Sequence, residues 1–242
     1  MSIQQKIGNA FQLLGTEFYL LSALVLTIWL PGSILLVYLR FFVFPETAGG
    51  DELRMILQEI RVANLLELAF GPFYVGACLY VAKHFREGKT VSYSESLSYA
   101  AKRSFKLLST RIGTGVIILL GCLAFIVPGI IFALKYALVD AVVVLERREG
   151  AQARAMSSVM TEGRRGQIFI AMVLTFLGAM LGIGVMYTML DFAALQAPFL
   201  IFFIINVVGE CLSSIILLLP LLVLFEFYWE AKQSMPATLP QT

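Results

Sequence analysis

Glu67, Lys135, Asp140, Asn206 and Glu210 each stand inside a long apolar stretch, and their chemistry depends on what surrounds them. A charge at the centre of a bilayer costs at least about 2.5–3.5 kcal/mol unless it is paired or hydrated. Each such group is therefore half of an internal ion pair or part of a site for an ion, a proton or a ligand. Asp140 lies near the end of its apolar run, within reach of Arg147 or Arg148. Lys135 has a stem long enough to carry its ammonium toward the headgroups. Glu67 has Arg61 and Arg40 as prospective partners, whereas Glu210 has no base nearby in sequence. A Lys135–Glu210 pair inside a bundle would satisfy both. Structural pairing is one reading of this set, and transport or ligand coordination is the other.

Other chemistry lacks its residues. There is no GxxxxGK[ST], HExxH, GxSxG, or GxGxxG followed by an acidic residue, so those enzyme classes have no handle. Cys78, Cys122 and Cys211 are far apart, each in an apolar stretch without CxxC spacing, and read as small core residues. His84 is the only histidine, leaving a metal centre almost no nitrogen ligands. No metal, no cofactor and no catalytic residue is expected, and nothing points to nucleic acid.

The elements that hold these groups follow from composition. The chain is 59% hydrophobic and 14% charged, with mean hydropathy +0.85. Soluble domains have about 45–50% apolar and about 25% charged residues. Residues 112–145 contain only Lys135 and Asp140 as charges, too long a run for one crossing of roughly 20 helical residues. Pro128-Gly129 divides that run. Proline lacks an N–H and pushes the preceding residue out of helical geometry, and glycine tolerates a positive φ. An outward-facing turn between two short spans is expected there. The whole chain, 1–242, then reads as one all-α polytopic membrane bundle with spans near 18–44, 60–82, 110–127, 129–145, 166–188 and 196–229. The first run exceeds the apolar core of a signal peptide, about 7–15 residues, and reads as an uncleaved span.

Orientation follows from Lys and Arg. Lys83, Arg86, Lys89, Lys102, Arg103, Lys106 and Arg111 crowd 83–111, and Arg147, Arg148, Arg154, Arg164 and Arg165 crowd 146–165. By contrast, 45–59 carries Glu46, Asp51, Glu52 and Glu59 against Arg54, and 189–196 carries only Asp191. The positive-inside rule then puts 83–109, 146–165 and both termini in the cytoplasm, in accord with an even number of spans. Between Tyr93 and Thr110, Leu97, Ala101, Phe105 and Leu108 share one helical face, with Lys102, Arg103 and Lys106 elsewhere. That pattern fits a basic amphipathic helix on anionic headgroups, or a plain extension of the third span. Gly150–Gly163 reads as a short cytoplasmic helix. Gly178 and Gly182 form a GxxxG, expected to make a close helix contact within the chain; the other reading is a homo-oligomer face. Trp29-Leu30-Pro31-Gly32 echoes Ile126-Val127-Pro128-Gly129, and Gly71-Pro72 with Tyr80 echoes Leu219-Pro220 with Tyr228. Duplicated halves and the small alphabet of membrane helices both account for such echoes.

The stretch Ile126-Val127-Pro128-Gly129-Ile130-Ile131, then Val142-Val143-Val144-Leu145-Glu146, then Gly150, Ala153, Ser157, Met160-Thr161 and Gly163 resembles the signature of the YciC-like inner-membrane proteins. Gly88 and Ser92 fit the same pattern upstream. Relatives include the membrane domain attached to some glycerophosphoryl diester phosphodiesterases. Arg154, where that pattern has Leu, and Ser158, where it has an aromatic, depart from it. The resemblance covers roughly residues 70–190 and implies six helices and a bacterial inner-membrane location. It implies no activity. The expected function is a non-enzymatic membrane protein that binds anionic lipid or a partner protein and supports envelope organisation. The alternative is a small transporter or channel that uses the buried charges.

Overall fold

The computed structural model describes residues 1–194 and 197–235, with the side chains of 193 and 194 left aside. The described chain is helical throughout, and its short connections are set by glycine and capping residues. Helix α1 (Ile3–Thr16) opens on a capping box, in which Ser2 and Gln5 satisfy each other's backbone N–H groups. Helix α2 (Phe18–Tyr38) contains Pro31 and runs through a π-helical segment, Leu39–Val43, into α3 (Phe44–Ala48). Gly49 and Gly50 at positive φ reverse the chain, and Asp51 caps α4 (Glu52–Arg86). Gly88 at φ +68 makes the next reversal. Ser92 and Glu95 then form a second capping box that starts α5 (Tyr93–Ala124).

The 112–145 run folds back on itself as the sequence predicts, with the reversal set slightly earlier. Phe125 is the extended residue between α5 and α6 (Ile126–Lys135). Pro128 and Gly129 form the first turn of α6, where a missing N–H costs nothing. Gly129 has no positive φ. It is glycine because a Cβ there would collide with Cys122, just as one on Gly121 would press on the Phe132 ring at 2.7 Å. The second arm is broken at Tyr136–Leu138 before α7 (Val139–Leu145). Helix α8 (Gly150–Met160) follows, then α9 (Arg165–Ala194), α10 (Phe199–Ile216) and α11 (Leu218–Ser234). The last apolar run is thus two helices broken at Leu217, with Pro220 in the first turn of α11. The start of the predicted sixth span at 196, and the end of the 189–196 loop, lie outside the described residues.

Among the described residues, six helical stretches are long and apolar enough to cross a bilayer: Phe18–Ala48, Glu52–Arg86, Tyr93–Ala124, Ile126–Leu145, Arg165–Phe192 and Phe199–Ser234. The main core joins Leu21–Val25 of α2, Val75–Ala82 of α4, most of α7, and Leu218–Tyr228 of α11. A smaller cluster of Val37, Val207 and Cys211 ties α2 to α10. Cys78 is likewise buried, while Cys122 is exposed. The internal echoes occupy unlike places. Pro31 and Pro72 lie inside helices, while Pro128 and Pro220 lie in first turns.

Helix α5 is continuous from Tyr93, so 93–110 is the extension of the third span. Its buried row is Ser96, Ala100, Ser104, Leu107 and Thr110; Ala100 meets α4, where a Cβ on Gly76 would sit 3.3 Å from its own, and Thr110 accepts from the Gly150 N–H of α8. Small residues win this face because they let the two long backbones approach closely. The stripe Leu97, Ala101, Phe105 and Leu108 is left at the margin, and Phe105 is 78% exposed.

Candidate functional site

Two guanidinium groups, one on α5 and one just beyond α2, organise the polar interior. Arg111 of α5 donates from Nε to both oxygens of Asp140 at 3.1 Å and from Nη2 to Oδ2 at 2.6 Å. Its Nη1 stands 3.8 Å from Glu67 Oε1. The Tyr74 hydroxyl reaches both Glu67 oxygens, at 2.8 and 2.9 Å. Glycine at 71 leaves the space: a Cβ there would lie 2.9 Å from Arg111 Nη1 and collide with Glu67.

Arg40, on the π-helical segment, pairs through Nη2 with Glu59 at 2.5 Å and with Glu210. Its Nη1 donates to Asn206 Oδ1 at 3.5 Å, and Asn206 Nδ2 donates to the Phe202 carbonyl at 2.9 Å. In both clusters two carboxylates share one guanidinium. Glu59 and Glu67 are both on α4, eight residues or about 12 Å apart along the axis.

These contacts revise the pairings read from sequence. Glu210 is answered by Arg40 and not by Lys135. Asp140 is answered by Arg111, where Arg147 or Arg148 was expected, and Glu67 by Arg111 and Tyr74, where Arg61 or Arg40 was. The reason is rotational: partners on neighbouring helices are chosen by which faces meet, and sequence spacing does not report that. Lys135 ends α6 with Nζ 5.7 Å from the Tyr136 ring centroid, and its carbonyl accepts from Ser157 and Thr161 of the α8 region. Arg111, Glu59 and Tyr74 are network members that sequence reasoning passed over, and it read Arg40 only as a partner for Glu67. The signal was there for Arg40, the only base within 18–44.

The opposite end of the bundle is tied by a further set. Lys6, fully buried over the Phe227 ring, pairs with Glu230 at 2.6 Å, and Arg164 joins Glu230 at 3.2 Å. Arg86 holds the buried Glu226 through Nε at 2.9 Å and a second bond from Nη2. Glu146 accepts from the Tyr228 hydroxyl and from Lys232 at 2.6 Å. Burial alone would raise the Glu146 pKa, but the Lys232 and Tyr228 hydrogen bonds outweigh it and hold the carboxyl below its ordinary value.

Of the bases on α5, Lys102 and Lys106 are exposed and Arg103 is half-buried. Lys106 meets Glu149 at 3.2 Å, with both side chains about half in the open. An apolar groove of about 350 Å³ runs between α1, α9 and the α10–α11 junction, lined by Ile7, Phe11, Leu174, Gly178, Gly182 and Leu219. A Cβ at Gly178 or Gly182 would meet open space, so the expected close contact at this GxxxG is not made within the described chain. Among the described residues no cluster of three or more His, Cys, Asp or Glu side chains is placed to hold a metal ion.

The long apolar helices of the described residues define a polytopic helical membrane protein. Neither family models, nor curated proteins, nor solved structures yield a match to the chain.

Proposed function

We propose that this is a non-enzymatic protein of the bacterial inner membrane, with its basic end in the cytoplasm, that binds anionic lipid and so supports envelope organisation. A partner protein or a second copy is the other ligand class this reading admits. The outward face of α5 carries it: Phe105 stands exposed between exposed Lys102 and Lys106 on a helix continuous with a span. A ring flanked by ammonium groups suits the headgroup zone, where the ring enters the acyl boundary and each base gains about 1 kcal/mol. The exposed Lys106–Glu149 pair is weak enough for headgroups to displace. The resemblance to YciC-like proteins supports the location. Replacing Lys102, Arg103 and Lys106 with Gln is expected to lower the share of phosphatidylglycerol retained from mixed bilayers, with insertion unchanged. Unchanged lipid retention would remove the support for this reading.

A second reading, a small transporter or channel, is favoured by the surplus carboxylate at Arg40 and at Arg111. Either surplus group suits an exchangeable proton or cation. Liposome flux that disappears in Glu67→Gln or Glu210→Gln would favour this reading over the first.

A further inference from the structure

We infer that Lys135, Arg154 and Ser158 form a binding site for a phosphate group at the foot of the α5–α6 hairpin, and that its source is an anionic phospholipid headgroup. The inference rests on the lipid reading above but uses residues apart from Lys102, Arg103 and Lys106. The three side chains line an open pocket of about 420 Å³ with Tyr136, Ala151 and Ala155. Among the described residues no carboxylate lines it. Lys135 and Arg154 are both half-buried, and among the described residues neither has an ion-pair partner, in contrast to Lys6, Arg40, Arg86 and Arg111. Two cations in one pocket repel each other across partly desolvated space, and an anion bound between them removes that cost. A guanidinium fork, an ammonium and a hydroxyl are the donors a phosphate takes.

Arg154 is held where a lipid would meet it. Its Nη1 lies against Gly113, 3.3 Å from where a Cβ would stand. From that point α5 continues as an exposed apolar stripe of Val116, Leu119, Leu120 and Leu123. A phosphate in the pocket therefore has an acyl-chain track directly above it, which a soluble phosphate ester would leave unused. The break at Tyr136–Leu138 creates the pocket, because it turns Lys135 out at the end of α6 beside α8.

The test is native mass spectrometry of the full chain in detergent, titrated with phosphatidylglycerol, phosphatidylcholine or glycerol 3-phosphate. One phosphatidylglycerol is expected to be held about tenfold more tightly than phosphatidylcholine, a difference that one charge-assisted contact can supply. The preference should be lost in Lys135→Gln/Arg154→Gln, retained in Arg154→Lys, and retained in the Lys102, Arg103, Lys106 triple variant. Gly113→Val, which keeps every charge but crowds Arg154, should weaken it and provides a second route should the double variant misfold. A preference unchanged in both the double variant and Gly113→Val overturns the site while leaving the lipid reading intact. No preference in the wild-type chain overturns both. Displacement of the lipid by millimolar glycerol 3-phosphate overturns the lipid as the source.

Discussion

Arg111 grips its two carboxylates unequally. It makes three hydrogen bonds to Asp140 but only approaches Glu67, which leans on Tyr74 instead. Removing one partner of a fully buried pair costs about 3–5 kcal/mol, because the other charge is left without an answer, and this half-buried pair is expected to lose part of that. Asp140→Asn is therefore expected to lower the melting temperature in detergent clearly. Glu67→Gln, which leaves Arg111 and Asp140 neutralising each other, should have a small effect. Equal losses would mean that the three groups act as one unit. Glu146 makes a prediction of the opposite kind, in pH. Its folded pKa is depressed by Lys232 and Tyr228 against the opposing effect of burial. The stability it supplies is present above the ordinary glutamate value of about 4.3 and is lost as pH falls through the lower folded value. Thermal melts of wild type and Glu146→Gln should differ at neutral pH and converge well below pH ~4.

Among the helices, the break between α6 and α7 is the feature most dependent on a neighbour. It frees backbone groups that hydrocarbon cannot satisfy. Ser157 resolves this alone on one side, accepting from the Leu138 N–H at 3.2 Å while donating to the Lys135 carbonyl at 3.0 Å. Thr161 gives that carbonyl a second donor at 3.2 Å. Ser157→Ala orphans the Leu138 N–H at a cost of about 1–3 kcal/mol. Hydrogen exchange at Leu138 should rise in that variant and stay unchanged in Ser158→Ala. The existence of the apolar spans was legible in the sequence, since hydropathy and helix length are the same constraint. Helix α1 was legible in principle, from Ser2 and Gln5 followed by Ile3, Ile7, Ala10 and Leu13 at helical spacing, yet the polar residues between them masked it. The extended Phe125 and the break at 136–138 were not legible, because both are set by what packs alongside: Cys122 against Gly129, and Ser157 against Lys135. The same reason hid the partners of Glu67, Asp140 and Glu210, whereas the polar positions themselves stood out as exceptions in apolar runs.

At the scale of the whole molecule, the contact between Lys6 and Glu230 places the first and last helices at one end, which requires an even number of crossings. A single tilted helix through 112–145 is excluded, because Gly121 meets Phe132 and Gly129 meets Cys122 across a tight hairpin. Measured from its charged foot at Arg111 and Lys135, the hairpin is short. From Arg111 to Ala124 α5 rises about 20 Å, and α6 spans about 15 Å, against a hydrocarbon core of about 30 Å. Its tip is also apolar, with Phe125, Ile126 and Val127 all largely exposed. With that foot at the headgroups, as the phosphate site proposed above requires, the tip reaches the far headgroups only where the bilayer thins to meet it. Cysteines added one at a time in a Cys122→Ser background, where the remaining Cys78 and Cys211 are buried, test both orientation and depth. Gly49 and Gly88 have positive φ and Gly129 faces Cys122, so Glu46, Lys89 and Phe125 are the better reporters. An impermeant thiol reagent applied outside should label Glu46→Cys and Asp191→Cys readily and leave Lys89→Cys and Ala151→Cys untouched until the membrane is opened. Phe125→Cys should label from outside, but more slowly than Glu46→Cys, because its thiol sits below the headgroups of a thinned bilayer. Outside labelling at Lys89 or Ala151 would reverse the orientation. Labelling of Phe125→Cys only from the basic side would mean that the hairpin never crosses.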